Sequence, residues 1–174
     1  GVWRCKNAGT TLTAVLGEHP QSSGATAIDQ ANPEVVWVGT GETWVRNSVS
    51  VGDGVYRSAD GGDTWTRVGL EHSERVARIA VHPKDGNTAY VCALGALYAD
   101  HDERGVFRTR DAGKSWEKVL HVGPDTGCAD LAMDPRDPSV LYAGLWQVRR
   151  QPWHFTSGGP RSGLYRTQDA GTTW

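Results

Sequence analysis

The chain has 174 residues and a formal net charge of −2, with 18 Lys and Arg against 20 Asp and Glu. Its basic residues are dispersed, only Arg149 and Arg150 being adjacent, so the sequence offers no electrostatic footprint for nucleic acid or an anionic membrane. Twenty-two Gly, 8 Pro and 8 Trp indicate a turn-rich all-β protein, and no apolar run nears the roughly 20 residues a membrane-spanning helix needs.

In chain order, a strand is expected at 1–5, leading through CKNAGTTL into a short partner. An alternating strand at 25–29, a Pro-containing turn and an aromatic, β-branched strand at 35–39 follow. After a connector comes a strand at 54–58, the turn SADGGDTW (58–65) and the start of an outer strand. The same order returns at 78–82, 88–92 and 105–109 with TRDAGKSW (109–116), and again at 130–134, 140–144 and 163–167 with TQDAGTTW (167–174). We label the strands of each unit A to D.

The spacing of these units is informative. From the turn acid or amide to the next aromatic column is 30 positions (7 to 37), 30 (60 to 90) and 31 (111 to 142). From that aromatic to the following turn acid is 23 (37 to 60), 21 (90 to 111) and 27 (142 to 169). Length variation is therefore confined to one connection per unit. A period of 51 to 58 residues holding four short strands is the signature of a β-propeller blade. The expected fold is all-β: about three and a quarter antiparallel four-stranded blades of an incomplete ring. The expected divisions are 1–16 (strands C and D), 17–70, 71–122 and 123–174 (without strand D), all in one propeller domain. Since blades bury their faces only against neighbours, the remaining blades of a parent chain are expected partners.

Three full octapeptide turns share one pattern: Ser58, Asp60, Gly62, Trp65; Thr109, Asp111, Gly113, Trp116; and Thr167, Asp169, Gly171, Trp174. A carboxylate and a hydroxyl in a hairpin accept hydrogen bonds from turn N–H groups that no ladder satisfies. The Gly tolerates positive φ, and the Trp covers the space between sheets. A device repeated around a ring cannot converge on one reacting point, so these acids, and the recurring Arg4, Arg57, Arg108 and Arg166, read as structural. The pattern resembles the Asp box, or BNR repeat, of sialidases, sortilin-type receptors and xyloglucan-cleaving propellers.

Cys5, Cys92 and Cys128 are too few and too scattered for a disulfide framework or a zinc site. They are expected to be buried and reduced, with a Cys92–Cys128 bridge between neighbouring repeats left open.

The chemistry is expected in the uneven connectors on the face opposite the octapeptide turns, because a rigid scaffold frees loops to vary. The B–C connectors are 42–53, 96–104 and 145–161, and they hold the three Trp outside the repeat: Trp44, Trp146 and Trp153. With Arg46, Arg149 and Arg150 these are the candidate ligand-binding residues, suited to stacking on sugar rings or docking apolar peptide side chains. Glycoside hydrolysis would need two carboxylates flanking the bond. Glu42, Asp53, Asp102, Glu103 and Asp130 are the candidates, and no spacing pairs any two of them. His101, Asp102 and Glu103 are a weak ligand set, so no metal is expected; no cofactor-binding fingerprint is present either.

GDGVYRSADGGDTW, IAVHPKDGNTAYVCALG, ERGVFRTRDAGKSWEKVL, MDPRDPSVLYAGLW and GLYRTQDAGTTW resemble the large bacterial sortilin-like BNR-repeat proteins often labelled glycosyl hydrolases. The resemblance covers essentially the whole chain. It implies an exported protein, extracellular or periplasmic, that binds glycan or peptide through the B–C face; alternatively, part of a glycoside hydrolase whose catalytic carboxylates lie partly outside this segment. The Arg-Ile-Pro signature of sialidases is absent, ARIAVHP (77–83) being strand A. None of the catalytic aspartates of the xyloglucan-cleaving propellers maps to a position here.

Overall fold

A computed structural model describes residues 1–174. A two-stranded piece, β1 (Trp3–Arg4) and β2 (Thr13–Ala14), precedes three four-stranded antiparallel sheets. The first is β3 (Ser23–Ile28), β4 (Val36–Thr40), β5 (Val55–Ser58) and β6 (Thr66–Arg67), paired in chain order. The second is β7 (Val76–His82), β8 (Asp85–Ala93), β9 (Gly105–Thr109) and β10 (Glu117–Leu120), again in order. The third is β11 (Thr126–Met133), β12 (Leu141–Arg150), β13 (Phe155–Ser157) and β14 (Gly163–Thr167). There β12 pairs with β11 and β14, and its far end pairs with β13. Each sheet thus takes the expected A–B–C order, and the fold is a propeller segment. One expectation needs correction: the connector 145–161 is not simple loop, since β12 continues to Arg150 and folds back as β13, so Trp146 lies within a strand; Asp130 sits in the inner strand β11, as expected.

The sheets stack face to face, and strand alternation divides their side chains between the layers. On β8, Ala89, Val91 and Ala93 pack with Trp37, Val55, Val76 and Ile79 of the flanking elements. The intervening Tyr90 and Cys92 join Cys128, Leu131, Leu141 and Ala143 on the other side. A central blade buries both faces, which is why TAYVCA reads as a continuous apolar run. At the two ends Ile28 and Leu164 are exposed.

The octapeptide turns and the A–B turns lie on one face, tied within each blade by Gly61 N–H to Glu34 O (2.8 Å), Ala112 N–H to Asn87 O (2.9 Å) and Ala170 N–H to Ser139 O (2.9 Å). Each turn has the same wiring. The Gly113 N–H donates to Thr109 Oγ1 (2.9 Å), Thr109 Oγ1 to Asp111 Oδ1 (2.8 Å), and the Ser115 N–H and hydroxyl to the two Asp111 oxygens (2.9 and 2.6 Å). The worn copy keeps this wiring with different atoms: Gly9 N–H donates to Cys5 Sγ (2.8 Å) and Thr11 N–H to Asn7 Oδ1 (2.9 Å). The closing Trp residues are half-buried, not fully enclosed; Trp116 donates to Val68 O (2.6 Å) and meets Trp37 edge-on at 6.3 Å. Two of the arginine column reach across to the next blade, Arg4 to Gly61 O (2.8 Å) and Arg108 to Ala170 O, while Arg57 and Arg166 lie over Trp37 and Tyr142 of their own blades.

Cys92 and Cys128 form a disulfide and are wholly buried, and Cys5 is exposed. The expected reduced state is corrected for two of the three and the expected burial for the third. The reason is register: Cys92 on β8 and Cys128 on β11 point into the same inter-blade layer, their Cα atoms 5.0 Å apart.

Candidate ligand groove on the loop face

All three inner strands carry a β-bulge in the same column. The ladder slips between Ser23 and Ala25, between Val76 and Arg78, and between Cys128 and Asp130. A bulge turns a strand and re-aims its side chains. Here the extra residues are Gly24, Ala77 and Ala129, all small, and together they floor a cavity of about 530 Å³ on the loop face. Gly24 is required there, since a Cβ would lie 2.2 Å from Val76 O.

The walls rise from the residues beside the bulges and from the connectors. Arg78 and Asp130, from adjacent inner strands, form an ion pair at 2.9 Å. That bond is the main cause holding the Asp130 carboxyl below its ordinary range, against a smaller opposing effect of burial. Trp44 stands at one side, 85% exposed, and Trp146 at the other, its indole N–H donating to Ser157 Oγ (3.2 Å) and its ring meeting Phe155 edge-on at 5.9 Å. Two further cavities adjoin. One of about 510 Å³ shares Val45 and Phe155 and adds Arg46 and Arg150; one of about 420 Å³ shares Gly24 and Trp44 and adds Glu42. The result is a groove crossing three blades.

The connectors that roof the groove are tied to one another. Arg149 donates to Tyr98 O (3.0 Å) and pairs with Asp100, while the Tyr98 hydroxyl donates to Asn47 O (2.8 Å). One hydrogen-bonded chain thus links the B–C connectors of three successive blades. Beneath it lies Arg104, fully buried and donating to the carbonyls of Ala96, Ala99 (3.1 Å) and Val148 (3.2 Å); burial is the first cause lowering its pKa to about 10.

Of the residues singled out from sequence, Trp44, Arg46, Trp146, Arg150, Glu42 and Asp130 line the groove. Glu42 is paired with Arg46 at 2.7 Å and accepts from Ser50 N–H (3.2 Å). Arg149 acts as a tie between connectors, and Trp153 stands 80% exposed at the tip of the β12–β13 hairpin. Neither lines the groove cavities. Glu103 accepts from His72 N–H (3.1 Å), and Asp53 from the Tyr56 hydroxyl (2.6 Å); these two and the exposed Asp102 are also outside the groove lining. Sequence reading missed Arg78, Tyr98 and Phe155. A signal for Arg78 was present: when the repeats are aligned it shares a column with Asp130, so opposite charges fall at one position of adjacent blades.

The family model Sortilin-Vps10, described as sortilin, neurotensin receptor 3, matches residues 53–174. The chain belongs to the Sortilin-Vps10 family. Among curated relatives of this sortilin-family chain, a xyloglucanase of a Paenibacillus species is 23% identical over all of the chain and 18% of its own length. Xyloglucanase Xgh74A of Acetivibrio thermocellus is 28% identical over 82% of the chain and 17% of its own length. Vacuolar protein sorting/targeting protein 10 of Colletotrichum graminicola is 39% identical over 40% of the chain and 4% of its own length. The sortilin-family chain therefore spans less than a fifth of the length of these relatives. Among solved structures, an ancestral GH74 enzyme superposes with a TM-score of 0.63 at 20% identity, over the whole chain and 19% of that structure. YCF48 from Cyanidioschyzon merolae gives 0.52 at 17% identity, over 90% of the chain and 37% of that structure. These likenesses establish the shared propeller fold.

Proposed function

We propose that this chain is a glycan-binding segment of a larger exported propeller protein, and that a polysaccharide lies in the loop-face groove against Trp44 and Trp146. The observation that carries this reading is the convergence of three bulged inner strands on one open groove with two indoles and an Arg–carboxylate pair. Indole faces suit the apolar faces of sugar rings, and the Arg78–Asp130 pair offers donors and acceptors to hydroxyls between them. Relatives bearing the name xyloglucanase align with four-fifths or more of the chain, in keeping with a glycan. Export is supported by the buried Cys92–Cys128 disulfide, since such bonds persist in oxidising compartments. The octapeptides serve as Asp-box fasteners on the opposite face, and other blades of the parent chain would cover the exposed end faces.

Hydrolysis is the second reading, favoured by the same relatives. The groove carboxylates, Glu42 and Asp130, are each engaged by an arginine, and the bond from Arg78 holds the Asp130 carboxyl below its ordinary range, which disfavours it as a proton donor to a leaving group. This segment therefore supplies binding, and any acid–base pair would draw partly on residues elsewhere in the longer protein.

Titration of the full-length protein with xyloglucan oligosaccharides and a peptide library tests both readings. Saturable glycan binding, weakened by Trp44→Ala, is expected. Release of reducing sugar that Asp130→Asn or Glu42→Gln abolishes would replace binding with hydrolysis, and binding of peptides alone would remove the glycan reading.

A further inference from the structure

We infer that the outer end of the groove, between Arg150 and Arg46, is an acid-recognising subsite that takes the carboxylate of a uronate sugar on the bound polysaccharide. The inference rests on the glycan reading above and narrows it to acidic glycans.

On the loop face, guanidinium groups have carboxylate partners as a rule. Arg46 pairs with Glu42 (2.7 Å), Arg78 with Asp130 (2.9 Å), Arg149 with Asp100, and Arg161 with Asp125 (2.5 Å). Two lack one: Arg104, fully buried and donating to backbone carbonyls, and Arg150, which lines the groove. Arg150 takes part in no ion pair, its side chain has no hydrogen-bond partner, and its guanidinium lies over the Phe155 ring at 5.5 Å. A guanidinium carries five donors in a fixed fork, and an aromatic face satisfies its charge but not its N–H groups. An unmatched donor set of this kind in a cavity wall is suited to an acceptor that arrives with the ligand.

The cavity beside it favours an anion. Its lining is Val45, Arg46, Asn47, Ser48, Arg150 and Phe155, with two arginines and no carboxylate. Glu42 offsets the charge of Arg46 from the adjoining cavity, and nothing offsets that of Arg150. The main chain at Arg150 is fixed, because its backbone N–H donates to Leu97 O (2.8 Å), and the guanidinium rests on Phe155, its partner in register across the hairpin. A planar carboxylate matches a fork held this way better than a hydroxyl does.

Continuity assigns the source of that carboxylate. Val45 and Phe155 are shared with the Trp44–Trp146 cavity, so an acid held at Arg150 belongs to a chain lying on the indoles. Beyond Trp44 the groove continues past Glu42 and Gln21, which lets a polymer run through. An acidic substituent at an inner sugar fits this layout; a terminal peptide carboxylate would have no use for the onward path.

The test is affinity of the full-length protein for glucuronoxylan against the same polymer with its carboxyls reduced to alcohols. Reduction should weaken binding by about tenfold. Arg150→Gln should abolish the difference between the two polymers, and Arg150→Lys should retain part of it. Equal affinity for both polymers, with Trp44→Ala still weakening each, would overturn the acid subsite and leave glycan binding standing. Failure to bind either polymer or neutral xyloglucan would bring down the glycan reading and the subsite together. Displacement of bound polymer by a free peptide C-terminus, insensitive to Trp44→Ala, would also overturn the assignment.

Discussion

Arg108 donates to the carbonyl oxygen of Ala170, a residue 62 positions later in the octapeptide turn of the next blade, and Tyr90 donates its hydroxyl to the same oxygen at 2.8 Å. The repeat thus fastens its own hairpin and docks onto the preceding blade. Arg108 is almost fully buried and also pairs with Glu117 (2.6 Å), so Arg108→Met should lower stability by about 1.5–3 kcal/mol, the range for charged hydrogen bonds. Its counterpart Arg57 lies over Trp37 at 5.4 Å, and Arg57→Met should cost only about 0.5–1 kcal/mol. Urea unfolding of the full-length variants measures both, and equal costs would refute the docking role.

The glycine of the turn differs between blades in what surrounds it. A Cβ on Gly113 would lie 2.6 Å from the Val68 Cβ of the neighbouring blade, whereas one on Gly171 would stay 3.5 Å from Val119. Both residues have φ near +87°, so each Ala variant carries a left-handed strain of about 1–2 kcal/mol. Gly113→Ala should therefore be the more damaging, by the added clash. Thermal unfolding of the pair decides it, and the reverse order would count against the stacking described.

Acid should loosen the octapeptide turns. The Ser115 hydroxyl holds the Asp111 carboxyl down from 3.8 to about 2, and the Thr173 hydroxyl does the same for Asp169. A depressed folded pKa stabilises fully above the unfolded value and loses that contribution as pH falls through the folded one, here between about 4 and 2. Asp111→Asn should keep the turn, as Asn7 does in the worn copy, but remove its share of the titration. Acid unfolding curves of the Asp111→Asn, Asp169→Asn double variant should be shallower across that window; superimposable curves would rule the account out.

The disulfide should contribute measurably. Closing a 36-residue separation restricts the unfolded chain by about 4 kcal/mol on the loop-entropy picture. Cys92→Ala, Cys128→Ala should lower the unfolding midpoint correspondingly. In the native protein iodoacetamide should label Cys5 alone, and mass spectrometry finding three labels before unfolding would show that the bridge is not formed.

On the loop face, Trp44 is so exposed that Trp44→Ala should leave stability within about 0.5 kcal/mol of the parent. It should nonetheless weaken glycan binding about tenfold. Isothermal titration alongside a melting curve separates the two effects. A large loss of stability would mean that the indole packs its own connector.

Much of the fold was legible in the chain. An aromatic, β-branched run marks strands such as Val36–Thr40, and the hydrogen bonds that close SADGGDTW run between residues two to four apart. Such information is local and repeats, so strand order, turn wiring and the sharing of faces follow from the sequence itself. Trp44 and Trp146 could be named because they fall outside the repeat.

What only the tertiary structure decided is longer in range. The pairing of Cys92 with Cys128, the meeting of Arg78 with Asp130 across 52 positions, and the docking of Arg108 on Ala170 each depend on how far one sheet turns relative to the next. The common bulge column that floors the groove does too, since a single extra residue leaves the hydrophobic pattern nearly unchanged while re-aiming the side chains beside it. Arg150 looks in sequence like its neighbour Arg149. Only the tertiary structure gives one an acidic partner and sets the other on the Phe155 ring without one.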